Sequence, residues 1–421
     1  MTKMKDSGIE WIGEVPEEWG ICRIKDIYSF FTGTTPDTGK TEFYGDENGS
    51  TWITISDMQE KYVKSSKQTL SELFITSKLP MQSPKGSLLY SFKLSVGKVS
   101  FAQQDLYTNE AIATFLANDK VCLRFLYYSS FLIEFNAEVN IYGAKILNKE
   151  RINNAFIINP TLLEQTQIAD FLDKKVAQLD KVKSLLEEQI KTLEDYRQSL
   201  IYETVTKGLD KTVPLKESGV DWIGQIPEGW GVGRVKDCFI LRTEKSYLPM
   251  EDVQLLSLYT EYGVFPHGER EEKGNKAVTT EGYKVVFKND IVVNIILAWM
   301  GSIGMSGYDG VTSPAYDIYK PLESICSRYY HYLFRTMAFS GQCYKYGRGI
   351  MKMRWRTYSN DFKIINVPIP CFEIQTQIAD FLDKKTEQIN QMIAIKKEQI
   401  ENINKQRQTL IYDYVTGKRR V

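Results

Sequence analysis

The chain has 421 residues, 43% hydrophobic and 25% charged, with 53 basic side chains balancing 53 acidic ones. That length admits two to four domains, each with its own core, and the composition is that of an ordinary globular protein. Zero net charge excludes a protein that coats nucleic acid through bulk charge; a sequence-specific reader stays open, because local charge distribution decides its binding.

In chain order, residues 1–20 form a leader carrying Trp11 and Trp19. Residues 21–160 are strand-rich, with the runs TWITISDM (Thr51–Met58) and GSLLYSF (Gly86–Phe92) bounded by Gly, Asn or Asp. Residues 161–210 read as a helix between Pro160 and Gly208. Leucine recurs there at every seventh position, through Leu172, Leu179, Leu186, Leu193 and Leu200. Val182 and Tyr196 fill part of the intervening row, with lapses at Lys175 and Gln189, which describes a coiled-coil seam. Residues 211–231 repeat the leader with Trp222 and Trp230, whose duplication suits docking on the helices. Residues 232–371 form a second strand-rich block with YKVVF (Tyr283–Phe287) and IVVNII (Ile291–Ile296). Residues 372–421 are a second helix, where Leu382, Ile389, Ile403 and Leu410 keep the row, Met392 flanks it and Lys396 breaks it.

The two halves are copies. QTQIADFLDKK at Gln165–Lys175 recurs unchanged at Gln375–Lys385, offset by 210 residues, and SGIEWIGEVPEEWG at Ser7–Gly20 recurs as SGVDWIGQIPEGWG at Ser218–Gly231, offset by 211. The variable blocks share landmarks: Ser95–Gly97 with Ser302–Gly304, Asn109–Ala111 with Ser313–Ala315, and Tyr142-Gly143 with Tyr346-Gly347. The expected fold class is α+β, with two mixed α/β domains separated by two long antiparallel coiled-coil helices and a pseudo-two-fold internal repeat. The antiparallel direction follows if each block enters and leaves its globule at neighbouring points. The first leader then belongs beside the end of the second helix.

No apolar run approaches the ~20 residues of a membrane span. The first residues, MTKMKDSGIE, hold no apolar signal core, so a cytoplasmic protein with no membrane partner is expected. Six scattered cysteines without a CxxC pair suit reduced thiols there, and His267 and His331 fit neither a metal site nor a catalytic triad. There is no NPPY or FxGxG methyltransferase mark and no GxxxxGK[ST] phosphate loop, and a PD…ExK nuclease pattern is unconvincing at Pro36-Asp37. A non-catalytic chain with no cofactor is the expectation.

The sharpest basic element is YGRGIMKMRWR, Tyr346–Arg356. On a strand, Met351, Met353 and Trp355 form an apolar face and Lys352, Arg354 and Arg356 a cationic one, with Arg348 just before. Such a row can grip phosphates or fork onto guanine edges; a charged edge strand is the plainer alternative. Lys145, Lys149 and Arg151 are the weaker counterpart in the first block. Lys93 and Lys98 flank a Gly-punctuated loop, and Asn109 can pair with adenine, though an ordinary turn is the plainer reading of all three. In the duplicated helix openings, Gln165, Ile168, Phe171 and Lys175, with Gln375, Ile378, Phe381 and Lys385, are candidates for docking two identical partners. A solvated face, or the internal seam, is the alternative.

A leader like SGIEWIGEVPEEWG, a divergent block, a helix opening with QTQIADFLDKK, and the whole again, resembles the specificity (S) subunit of type I restriction–modification systems. The resemblance implies that each variable block is a target recognition domain reading one half of a bipartite double-stranded DNA site. It also implies that the helices set the spacer, hold two methyltransferase subunits of an adenine-N6 methyltransferase and ATP-dependent endonuclease complex, and help recruit restriction subunits. A stand-alone enzyme and a DNA-free adaptor are the competing classes.

Overall fold

The computed structural model describes residues 3–45, 48–93, 95–139, 143, 145–260, 263–268, 280–350 and 355–421. The chain forms two units: Met1–Leu185 with Glu398–Val421, and Leu186–Lys397. Each unit holds a leader, a strand-rich domain, the start of one long helix and the end of the other.

The long helices run from Leu162 to Lys207 and from Phe372 to Val415. The first opens on a capping box: Thr161 Oγ1 accepts from the Glu164 N–H (3.3 Å) and the Glu164 carboxylate accepts from the Thr161 N–H (3.1 Å). Both end at a glycine in the left-handed region, Gly208 at φ +75° and Gly417 at φ +74°, where a side chain would strain the backbone. In the first unit Phe171 packs on Tyr414 (4.4 Å between ring centres) and Asp180 pairs with Arg407 (3.4 Å). In the second unit Lys396 donates to Gln189 (2.6 Å) and Arg197 to Asn390. One number falls as the other rises, so the paired stretches run antiparallel within each unit, as the repeat order implies.

The seam differs from the expected one by a single position. Beside the leucine row, the inward residues are Val176, Lys183, Ile190 and Arg197, while Val182 and Tyr196 are exposed. The second helix keeps the same register: Ile393 is buried and Met392 exposed. The steps alternate four and three, the spacing of an a/d seam. Lys183 and Arg197 sit in it because long basic side chains lay their stems on the seam and carry the charge outward.

The two domains share a strand order. In the first, the sheet runs Phe30–Thr32, Ile112–Phe115, Leu88–Ser91, Val99–Ala102, Tyr62–Val63. In the second it runs Phe239–Arg242, Tyr316–Pro321, Ile291–Asn294, Ile303–Met305. The first four strands correspond one for one, and all their pairings are antiparallel. Central strands are apolar on both faces because each lies between packed layers, so Leu88, Leu89, Ile291 and Val292 are fully buried. The expected runs at Thr51–Met58, Gly86–Phe92, Tyr283–Phe287 and Ile291–Ile296 each overlap a strand, shorter than the run itself.

One landmark shifts. The Ser91 N–H donates to the Lys98 carbonyl (2.9 Å) as the Asn294 N–H donates to Ser302 (3.1 Å), so Ser302 corresponds to Lys98 rather than to Ser95. Another holds: Asn109 Oδ1 caps the Ala111 N–H (3.2 Å) as Ser313 Oγ caps that of Ala315 (3.3 Å).

Each leader folds as a hairpin, Met4–Asp6 with Glu14–Pro16 and Leu215–Glu217 with Gln225–Pro227. Trp19 is buried with Leu172, Val176 and Val415, and Trp230 with Val205, Ile378 and Leu382. The first leader thus lies on the end of the second helix, as expected. Arg420 fastens it, lying over the Trp19 ring (5.1 Å) and pairing with Glu18 and Glu164.

Candidate nucleic-acid interface

The basic segment of the second domain is described only at its two ends. A helix, Met337–Tyr346, ends at Gly347, and the Arg348 and Arg356 backbones then exchange two hydrogen bonds of 2.9 Å. The Arg348 and Arg356 backbones therefore lie side by side as an antiparallel bridge. Lys352 and Arg354, with Met351 and Met353, lie outside the described residues. Arg348 remains mostly exposed while pairing with the nearly buried Asp361 (2.5 Å), which anchors the bridge. Arg356 is exposed, and Trp355 stacks on Tyr344 (4.8 Å between ring centres).

The first domain's candidates are more occupied. Lys145 pairs with Glu134 (3.1 Å), and Arg151 pairs with Glu138 while donating to the Asn136 carbonyl (3.3 Å). Both are thereby partly neutralised. Lys98 is half-buried and leans on the Ile55 carbonyl (3.4 Å), and Asn109 is spent on its own turn. Lys93 and Lys149 are the two exposed cations of the set with no carboxylate partner among the described residues. Tyr142 lies outside those residues.

The duplicated helix openings face mainly inward, toward the seam that was the alternative to an external docking surface. Gln165 and Gln375 are each 1% exposed. Gln165 Oε1 accepts from the Cys122 N–H (2.9 Å), and its amide donates to the Pro160 carbonyl (3.0 Å). Gln375 does the same with Cys326 (2.8 Å) and Pro370 (2.8 Å). Ile168 and Ile378 are core residues, and Phe171 and Phe381 are partly buried against the same cores. Lys175 and Lys385 are exposed, each near the ring one turn before it (6.0 Å). A burying environment removes four of the eight from any external contact.

Each of these segments grips the short helix of its own domain. Arg124 Nη1 contacts Asp170 (2.6 Å) and Asp173 (3.2 Å), and the Tyr128 hydroxyl donates to Asp173 (2.6 Å). In the second unit Arg328 contacts Asp380 (2.7 Å) and Asp383 (2.7 Å), and the Tyr332 hydroxyl donates to Asp383 (2.7 Å). Lys61 adds a further contact to Asp173 (2.5 Å). Burial alone would raise the Asp173 carboxyl, but hydrogen bonds from Lys61 and Tyr128 outweigh it and hold the group below its usual range. Burial, then the bond to Asp383, raises the Tyr332 phenol, which keeps it a donor. The signal was present in sequence as a repeated spacing, Cys122-x-Arg124-x3-Tyr128 and Cys326-x-Arg328-x3-Tyr332.

Each unit thus carries one divergent domain seated on an identical helical socket. The family model for the type I restriction modification DNA specificity domain matches residues 16–194 and again 227–403. The chain belongs to this family.

It is 28% identical over 130 residues to the type I restriction enzyme MjaIX specificity subunit of Methanocaldococcus jannaschii, spanning 30% of this chain and 29% of that one. With the MjaVIII specificity subunit of the same organism it is 23% identical over 432 residues, covering 97% of this chain and 94% of the other. Among solved structures, a chain from work on complex assembly and conformational transition of the type I R-M system matches with TM-score 0.69, at 15% identity, over 96% of this chain and 99% of that one. That likeness establishes the fold. The chain is accordingly a type I specificity subunit with two DNA specificity domains, a pattern consistent with a bipartite target. Among the described residues no helix is long and apolar enough to cross a membrane.

Proposed function

We propose that each strand-rich domain reads one half of a bipartite double-stranded DNA site, that the long helices set the spacer, and that the subunit brings two methyltransferase subunits, and restriction subunits with them, to that site. The observation that carries this reading is the double match of one specificity domain, with both copies mounted on the same eleven-residue segment. Two equivalent mounts suit two equivalent partners, and Lys175 and Lys385 are among the exposed positions at which such partners can touch both copies alike. In the second domain Arg348 and Arg356, and in the first Lys93 and Lys149, are the cations best placed to contact phosphates.

The chemistry of methylation and cleavage then resides in the partner subunits, and this chain supplies the address. The test is the adenine-methylation pattern of a host that carries this chain with its methyltransferase partner. The expected result is methylation at a motif of two short, unrelated blocks separated by a fixed non-specific gap. A single contiguous motif, or none, overturns the proposal. A stand-alone nuclease or methyltransferase would instead cut or methylate DNA as the purified chain.

A further inference from the structure

Each recognition domain meets its long helix through a polar mount whose parts repeat in both units. One short helix in each domain, Leu123–Ser129 and Ser327–Phe334, supplies the contacts. Arg124 and Tyr128 stand four residues apart, hence one turn apart on one face; Asp170 and Asp173 stand three apart on the long helix. Arg124 reaches both carboxylates, and Tyr128 takes a separate oxygen of Asp173. Arg328, Tyr332, Asp380 and Asp383 reproduce this arrangement. A third point is added where Gln165 and Gln375 hold the N–H that opens each short helix.

Three separated, directional contacts fix an orientation, whereas apolar packing alone is non-directional and tolerates small rotations. Stability does not explain the mount. Arg124 and Arg328 are each 38% exposed, with Asp170 and Asp380 exposed further, and ion pairs in such solvent contribute little. The buried residues around Leu172 and Leu382 already hold the domains in place.

We propose that Arg124, Tyr128 and Asp173, and likewise Arg328, Tyr332 and Asp383, are positioning residues that set the angle at which each domain presents itself to DNA, and so sharpen the spacer the complex accepts. This deepens the preceding proposal and rests on it. The two mounts differ in one respect: Lys61, just before the strand Tyr62–Val63, adds a third donor to Asp173, while Asp383 has Arg328 and Tyr332. The second domain is therefore the one whose orientation responds more to loss of a single contact.

The experiment uses the full chain assembled with its methyltransferase partner, and duplexes holding both half-sites with the native gap or one base pair more or less. The variants are Asp383→Asn, Arg328→Lys and Tyr332→Phe; the last removes a single oxygen and leaves the ring packing in place. Assembly and thermal unfolding are checked for each. The expected result is a roughly three- to tenfold slower methylation at the native gap. Altered gaps should be affected less, so that spacer preference flattens while both half-site sequences stay the same. Arg328→Lys keeps the charge but loses the fork, and should fall between wild type and Asp383→Asn. Variants that assemble and keep the wild-type spacer profile overturn the proposal, as does an equal loss at every gap. Failure of the wild-type complex to methylate a bipartite site would overturn the underlying reading, and this one with it.

Discussion

His331 shows how one side chain couples this fold to pH. Its Nδ1 accepts the Met305 N–H (3.1 Å), which requires an unprotonated nitrogen. Burial, then the charge of Arg335, pushes the ring down to about 3 from an ordinary 6.5. The unfolded chain takes up a proton below roughly 6.5 and the folded chain does not until about 3. The contribution is thus complete above that range and drains as pH falls through it, by at most about 1.4 kcal/mol per pH unit. His331→Asn should unfold at a temperature less sensitive to acidification from pH 7 to pH 4.5; parallel melting curves for the two proteins would refute this. The terminal glycines offer a steric counterpart. A Cβ on Gly417 would lie 2.5 Å from Pro16 and 2.9 Å from Trp19, while one on Gly208 would lie 3.2 Å from Trp230. Both positions share the left-handed penalty, about 1 kcal/mol, but Gly417→Ala adds overpacking of about 1–3 kcal/mol. Thermal unfolding should therefore rank Gly417→Ala well below Gly208→Ala, and equal losses would show that the leader yields without resistance.

At the scale of elements, the long helices and the central strands were legible because their apolar spacing is strong. Leucine at every seventh residue marks a helix whatever its partner. The second row of the seam was misread by one position because Val182 and Tyr196 are apolar yet exposed, while Lys183 and Arg197 are charged yet turned inward. No scale of hydrophobicity sees a lysine stem lying along a seam. For the same reason the acidic pair Asp170 and Asp173 read as a solvated face; its partners, Arg124 and Tyr128, are more than forty residues away in sequence. The candidate DNA contacts were the least legible, since the carboxylates that occupy Lys145 and Arg151 come from other elements. The helices also give a length prediction. One heptad inserted into each long helix, between Leu186 and Leu193 and at the facing stretch of the second, adds about 10 Å. If the helices are a ruler, methylation mapping should return the same two half-sites with a gap roughly 3 base pairs longer. An unchanged gap would remove the ruler from the account.

For the whole molecule, two domains with one strand order and unlike surfaces imply that each half of the target is read independently. Replacing residues 232–371 by the equivalent block of a relative should rewrite one half of the methylated motif and leave the other intact. Changes in both halves would mean that the domains do not act separately. The way the units are composed has a further consequence, in time rather than in space. The first unit needs Glu398–Val421, which is synthesised after the whole of the second unit, and its core includes Val415. At ~5–20 residues per second, everything after Leu185 takes roughly 10 to 50 seconds to synthesise. Through that interval Leu172, Val176 and the Trp19 indole wait with one wall of their enclosure missing, while the second unit already has all of its sequence before the final segment emerges. The unit begun first is completed after the second, and the nascent chain carries an open greasy seat that a chaperone, or a neighbouring nascent copy, can occupy before residues 398–421 arrive.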